Sequence, residues 1–221
     1  VQERDNIEDA AKLFCETIVN KRNIYAFGCS HGGILAEELF YRAGGLAVIN
    51  PIFNPALMLN VKPVTLTSSF ERMENQSKAL LLSNNPQKGD CILIHSVSGR
   101  NPGVVEMAIE AKKIGMKVIG LTNLTYSKES SSRDKSGKRL FEVCDICIDN
   151  CGEFGDGSIK FEGINEKAGP TSTVIGATIV NSISVRTAEL LIERDIMPPI
   201  LHSANADGGD EINRKIFEEY K

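Results

Sequence analysis

Residues 90–122 read DCILIHSVSGRNPGVVEMAIEAKKIGMKVIGLT. The stretch falls into four parts. DCILIH (90–95) is a short apolar run, and Ser96-Val97-Ser98-Gly99-Arg100-Asn101-Pro102 is a loop of small and polar residues. GVVEMAIEAKKIG (103–115) carries apolar residues at helical spacing, and MKVIGLT (116–122) is a second apolar run. Short runs without strict alternation suit strands covered on both faces. A strand, a tight loop, a helix and another strand make one βα unit, and such units build parallel sheets.

The rest of the chain repeats the pattern. Apolar runs recur at NIYAFG (23–28), GLAVIN (45–50) and DICID (145–149), which with the first two makes five strands. Helical spacing recurs at 33–43 and 71–83, and again over 171–194, whose first half is almost uncharged. The expected fold is α/β, a three-layer αβα sandwich around a five-stranded parallel sheet, doubly wound in the flavodoxin manner. Residues 51–66 are interrupted by proline and read as irregular, while 201–221 read as a Gly-Asp loop and a short amphipathic helix.

The 221 residues are 42% hydrophobic and 24% charged, an ordinary balance for a globular protein, and one domain spanning 1–221 is expected. With 25 basic residues against 29 acidic ones and no basic run, nucleic acid is not an expected partner. No run approaches the roughly 18 apolar residues that a membrane span needs, and the start lacks a signal-peptide pattern, so the cytoplasm is the expected location. The chain begins with Val rather than Met, which leaves open a preceding segment. Six cysteines include Cys144 and Cys147 three apart. Read as a strand, FEVCDICID turns those two to opposite faces, so no metal site is expected there and the cysteines read as small hydrophobes.

In open parallel sheets ligands sit beyond the carboxyl ends of the strands. Two loops in that position stand out, Cys29-Ser30-His31-Gly32-Gly33 after the first strand and Ser96–Pro102 after the third. Strand, small hydroxyl and glycine residues, then helix is how a chain presents amides and a positive dipole end to an anion. Ser98 or Asn101 alone could simply cap its helix, with Pro102 suited to the first turn. Neither loop has nucleotide-binding spacing, so phosphate without nucleotide is expected, and no cofactor.

Ser96-x-Ser98-Gly99-x-Asn101 is similar to the S-x-S-G-x-[ST] phosphate loop of the SIS (sugar isomerase) family. GCSHGGILAEELFYRAGGL and HSANADGGDEIN resemble a bacterial subgroup of it related to phosphoheptose isomerases. The resemblance implies a phosphorylated sugar held by Ser96, Ser98, Gly99 and Asn101. The first family loop usually reads G-x-G-x-S; here Gly28-Cys29-Ser30-His31-Gly32 exchanges glycine and serine, and Ser30 is the candidate contact. Thr122, Asn123 and Ser127, after the fourth strand, are further candidates for the sugar, though the reading of all three as turn formers is the stronger one.

An aldose–ketose isomerase needs a base that moves a carbon-bound proton and an acid for the oxygen-bound one. The family's glutamate in an A-E-E-L context corresponds to Glu38, which could instead merely pair with Arg42 one turn on. The family's histidine on the long helix has no counterpart in 171–194, which leaves His31 as the first replacement acid and His202 as the second. His95, ending a strand, reads as a satisfied buried histidine. The leading expectation is a phosphosugar isomerase; a phosphosugar etherase or lyase and a non-catalytic phosphosugar-binding regulator are the alternatives. The resemblance also implies a homodimer or homotetramer with shared sites.

Overall fold

The computed structural model describes residues 3–220. The expected runs do form a five-stranded parallel sheet: β1 (Ile24–Gly28), β2 (Ile49–Pro51), β3 (Cys91–His95), β4 (Lys117–Thr122) and β5 (Ile146–Asp149), in the order β2-β1-β3-β4-β5. Every residue of β1 and β3 is buried, as strands covered on both faces require. The register sets Gly28 beside His95 and His95 beside Leu121, so the loops that leave these strands start side by side. The order reverses between β1 and β3, which makes the crevice above them the switch point of the sheet.

One face is covered by α1 (Arg4–Val19), α2 (Ile34–Leu39) and α7 (Ser172–Ile192), whose Phe14, Leu35, Val180 and Ile183 pack with Ile24, Leu93 and Ile119. The other face carries α4 (Gln76–Ser83) and α5 (Pro102–Ile114), with Leu81, Val105, Met107 and Ala111 against Phe27, Ile92 and Ile94. These are the three layers. Two short helices, α3 (Leu66–Phe70) and α6 (Leu124–Glu129), complete the carboxyl side, and α8 (Gly209–Tyr220) ends the described chain. Among the described residues α7 alone is long and apolar enough to cross a membrane by length and composition, and half of its most apolar window is buried inside the protein.

Several boundaries differ from the expectations, for identifiable reasons. The run 45–50 yields strand only from Ile49, because Gly44, Gly45 and Ala47 pair instead with Pro199 and Leu201. The helix expected over 33–43 starts as a tight 3-10 turn, Ser30–Gly33, and stops at Leu39; Tyr41 takes a left-handed backbone with φ 44°. That expected over 71–83 begins only at Gln76, after Asn75 at φ 64°. A hairpin of β6 (Gly157–Lys160) and β7 (Lys167–Pro170) precedes α7 and gave no periodic pattern. Cys144 lies in the turn before β5, not in the strand, so the opposite-face reading of Cys144 and Cys147 does not hold. Their side chains share a hydrogen bond, which lowers the Cys144 thiol pKa and raises that of Cys147. Among the described residues no group of three or more His, Cys, Asp or Glu side chains could hold a metal ion.

Candidate functional site

The loop 96–101 is shaped by its neighbours rather than by its own side chains alone. Gly99 has φ 59°, and a Cβ there would lie 3.0 Å from Ser127 Oγ and 3.2 Å from Thr122 Oγ1, so both backbone and space require glycine. Its amide donates to Ser96 Oγ at 3.2 Å and its carbonyl accepts from the Leu140 amide at 2.8 Å. The Asn123 amide donates to the Val97 carbonyl at 3.0 Å. With these bonds made, the amides of Val97, Ser98, Arg100 and Asn101 donate to nothing within the described residues. Four free donors just ahead of a 13-residue helix that opens with proline make the loop a candidate anion cradle. The Ser98 hydroxyl is likewise without a partner among the described residues, whereas Ser96 both closes the turn and borders the cradle.

Asn101 precedes α5 but does not cap it with its side chain. Its Oδ1 accepts from Arg133 Nη1 at 3.1 Å, and its side chain also bonds to Glu71. Arg100 reaches Ser131 Oγ through Nη2 at 2.9 Å, while the Arg133 amide donates to the Arg100 carbonyl at 2.8 Å. Two guanidinium groups thus stand beside the free amides. The sequence does not announce Arg133 or Glu71 at this loop, since each arrives from a segment remote along the chain. Burial pushes the Glu71 carboxyl above its ordinary pKa. Gly103 is wedged beneath the same residue: a Cβ there would lie 2.9 Å from Cys29 Sγ and 3.0 Å from the Glu71 carbonyl oxygen.

The first loop docks onto the second. Gly28 and Gly32 approach so closely that a Cβ on Gly28 would lie 2.3 Å from the Gly32 carbonyl, and one on Gly32 would lie 2.6 Å from the His95 carbonyl. Ser30 begins the 3-10 turn at φ 56°, and His31 is exposed at its surface. His95 is 1% exposed and its Nδ1 lies 3.2 Å from the Gly32 carbonyl; burial holds its pKa down to about 4. Its Nε2 has no partner among the described residues, which corrects the reading of a satisfied histidine.

Other candidates fall elsewhere. Thr122 and Asn123 are fully buried. Thr122 Oγ1 donates to the Val97 carbonyl at 3.0 Å; Asn123 caps α6 by accepting from the Tyr126 amide and donates to the Glu153 carbonyl. They brace the cradle from behind instead of facing a ligand. Glu38 points from α2 toward α7, where it accepts from Asn181 Nδ2 at 2.7 Å, and it makes the ion pair with Arg42 that the four-residue spacing allows. His202 exchanges backbone bonds with the Asn213 side chain. Because Leu201 pairs with Gly44 and Gly45, which precede β2, His202 lies at the amino end of the sheet. Within one chain it is therefore not brought to His31 or Ser96, and α8 packs through Phe217 on Tyr41 rather than over the cradle. Asp156 caps α7, accepting from the amides of Thr171 and Ser172 and from the Ser172 hydroxyl.

Residues 1–123, from α1 through the cradle and its brace, match the SIS domain family model. The chain belongs to the SIS domain family. This SIS protein is 51% identical over 212 residues to a UPF0309 protein of Shouchella clausii, covering 96% of this chain and 86% of that one. It is 50% identical over 220 residues to one of Oceanobacillus iheyensis, covering 100% and 89%. Among solved structures it resembles a phosphoheptose isomerase from Francisella tularensis, with a TM-score of 0.52 at 16% identity over 85% of this chain and 86% of that one. A phosphoheptose isomerase from Neisseria gonorrhoeae gives 0.51 at 18% identity with the same coverages. At such identities the likeness concerns the fold alone.

Proposed function

We propose that this SIS protein is a single phosphosugar-binding domain of the cytoplasm, working as an aldose–ketose isomerase of the phosphoheptose type. The observation that carries the reading is the cradle: one six-residue loop ahead of a helix holds four free amides and the Ser96 and Ser98 hydroxyls, with the Arg100 guanidinium and that of Arg133, which bonds Asn101, at hand for a dianionic phosphate. Six free cysteines suit a reducing compartment. The phosphate rests on residues 96–101, with Ser30 and His31 on the adjoining turn. Glu38 removes the proton from the carbon next to the carbonyl and returns it to the neighbouring carbon, passing through an enediol. His31, or His202 of a second copy in a homodimer or homotetramer, moves the oxygen-bound proton.

A second reading is favoured by one observation. Glu38 is occupied by Arg42 and Asn181, and α7 presents Asn181 rather than a histidine to it. A carboxylate so engaged suits a binder that performs no chemistry. A panel of sugar phosphates in deuterated water, followed by NMR, separates the two. Solvent deuterium entering next to the carbonyl establishes isomerase chemistry; shift changes alone establish a binder. A released acid would point to an etherase, and an unchanged spectrum across the panel would refute phosphosugar binding itself.

A further inference from the structure

Buried polar side chains almost always find a partner, so those that do not are informative. Five atoms among the described residues fail: Gln76 Oε1, His95 Nε2, Arg100 Nε, Ser127 Oγ and Asn150 Nδ2. Three of them ring the cradle. His95 immediately precedes Ser96, Arg100 belongs to the loop, and Ser127 lies against Gly99. Three such orphans beside one loop single it out as the place to ask what an added partner would satisfy.

His95 is the most specific of the three. Its Nδ1 faces the Gly32 carbonyl, which can only accept, so Nδ1 carries the hydrogen. In the neutral ring Nε2 is then a bare acceptor, and burial keeps the ring neutral far below physiological pH. The residue stands at the β1/β3 switch point, in register with Gly28, and the carboxylate that acts on it electrostatically is that of Asp156.

We propose that His95 Nε2 is a recognition group for a polyol, accepting the proton of a ligand hydroxyl next to the phosphorylated end. The inference rests on the phosphosugar reading and adds a demand that phosphate alone does not meet. At 1% exposure the ring receives that hydroxyl only when the groups over Nε2 move aside, with the Nδ1 contact to the Gly32 carbonyl kept. The single imidazole thus has two tasks: Nδ1 fixes the first loop to the second, and Nε2 selects the hydroxylated ligand.

Asparagine and glutamine separate these tasks, because the asparagine amide nitrogen falls near the position of Nδ1 and the glutamine amide near that of Nε2. Calorimetry on the full chain would compare inorganic phosphate, propyl phosphate and a series of sugar phosphates from three to seven carbons. For His95→Asn the expected result is a loss of about tenfold for the best sugar phosphate, as befits one hydrogen bond, with inorganic and propyl phosphate unchanged within about twofold. His95→Gln should retain the preference for sugar over propyl phosphate. On the unmodified protein, the imidazole ¹⁵N resonance of Nε2 should move with the sugar phosphate and stay fixed with propyl phosphate, a readout that needs no variant to fold. A uniform loss across all ligands in His95→Asn, or a static Nε2 resonance, overturns the inference and leaves the cradle standing. Absence of binding by every phosphate, the inorganic ion included, removes the cradle and this inference together.

Discussion

Glu38 on α2 accepts a hydrogen bond of 2.7 Å from Asn181 Nδ2 on α7, joining the helix that follows the first loop to the middle of the longest helix. Asn181 also donates to the Ala177 carbonyl at 3.0 Å, so its amide is held from its own helix and aims the carboxylate. If Glu38 is the proton-transfer base, Glu38→Gln keeps size and polarity but removes basicity. Sugar-phosphate binding should survive within a few-fold while turnover falls by about a hundredfold or more. The exposed Glu37, changed to Gln, should do little. Asn181→Ala should lower turnover by a smaller factor, about tenfold, through misplacement of the carboxylate. Deuterium exchange measured on the three variants decides; loss in Glu37→Gln with retention in Glu38→Gln would move the base by one residue.

The phosphate cradle predicts a different pattern. Ser96→Ala with Ser98→Ala removes two hydroxyls but leaves the four free amides, so affinity should drop by about tenfold or more without vanishing, given roughly 1.5–3 kcal/mol for a hydrogen bond to a charged group. Part of the effect would come from Ser96, whose Oγ also fixes the Gly99 amide. Calorimetry with a sugar phosphate, alongside a thermal melt to show an intact fold, checks it. Unchanged affinity would take this loop out of the site.

The layers and the cradle were legible because they are local. DCILIHSVSGRNPGVV states strand, turn and helix within one window, and its glycine and serines announce the loop. What was not legible depends on distant chain. Glu71 and Arg133 reach Asn101 from 30 and 32 residues away, and no local pattern announces either contact. Thr122 and Asn123 sit where contact residues should, yet tertiary bonds turn them inward. The first half of GLAVIN is apolar because Pro199 to Leu201 cover it, which no strand pattern encodes. His95 was misread since burial is visible in sequence but the fate of each ring nitrogen is not.

The buried imidazole makes a prediction about pH. His95 has a folded-state pKa of about 4 against an ordinary 6.5, so between those values the unfolded chain binds a proton that the folded chain refuses. Its contribution is therefore fully present above about pH 6.5 and is lost as the pH falls toward 4. Glu71 acts in the opposite sense, since its raised pKa gives the folded state the extra proton just above the ordinary carboxylate range. Comparing urea midpoints at pH 7 and pH 5 for the protein and for His95→Asn isolates the histidine. The variant should lose less stability on acidification, and parallel pH curves would show that His95 is not held neutral in the fold.

The outer face of α7 carries the prediction about assembly. Val174, Val185 and Ile192 are 63%, 61% and 60% exposed, and Ile159, Phe161 and Ile164 in and beside the neighbouring hairpin are each more than half exposed. Scattered surface apolar residues are ordinary, but Val174, Val185 and Ile192 fall on one side of α7 by helical spacing, a stripe of the kind that subunit contacts cover. Val185→Asp places a charge on the face without touching the core. In sedimentation equilibrium it should shift the protein toward monomer, with a melting temperature that becomes independent of concentration. If binding falls along with assembly, the site is shared between copies. A Val185→Asp protein of unchanged mass would locate any subunit contact elsewhere.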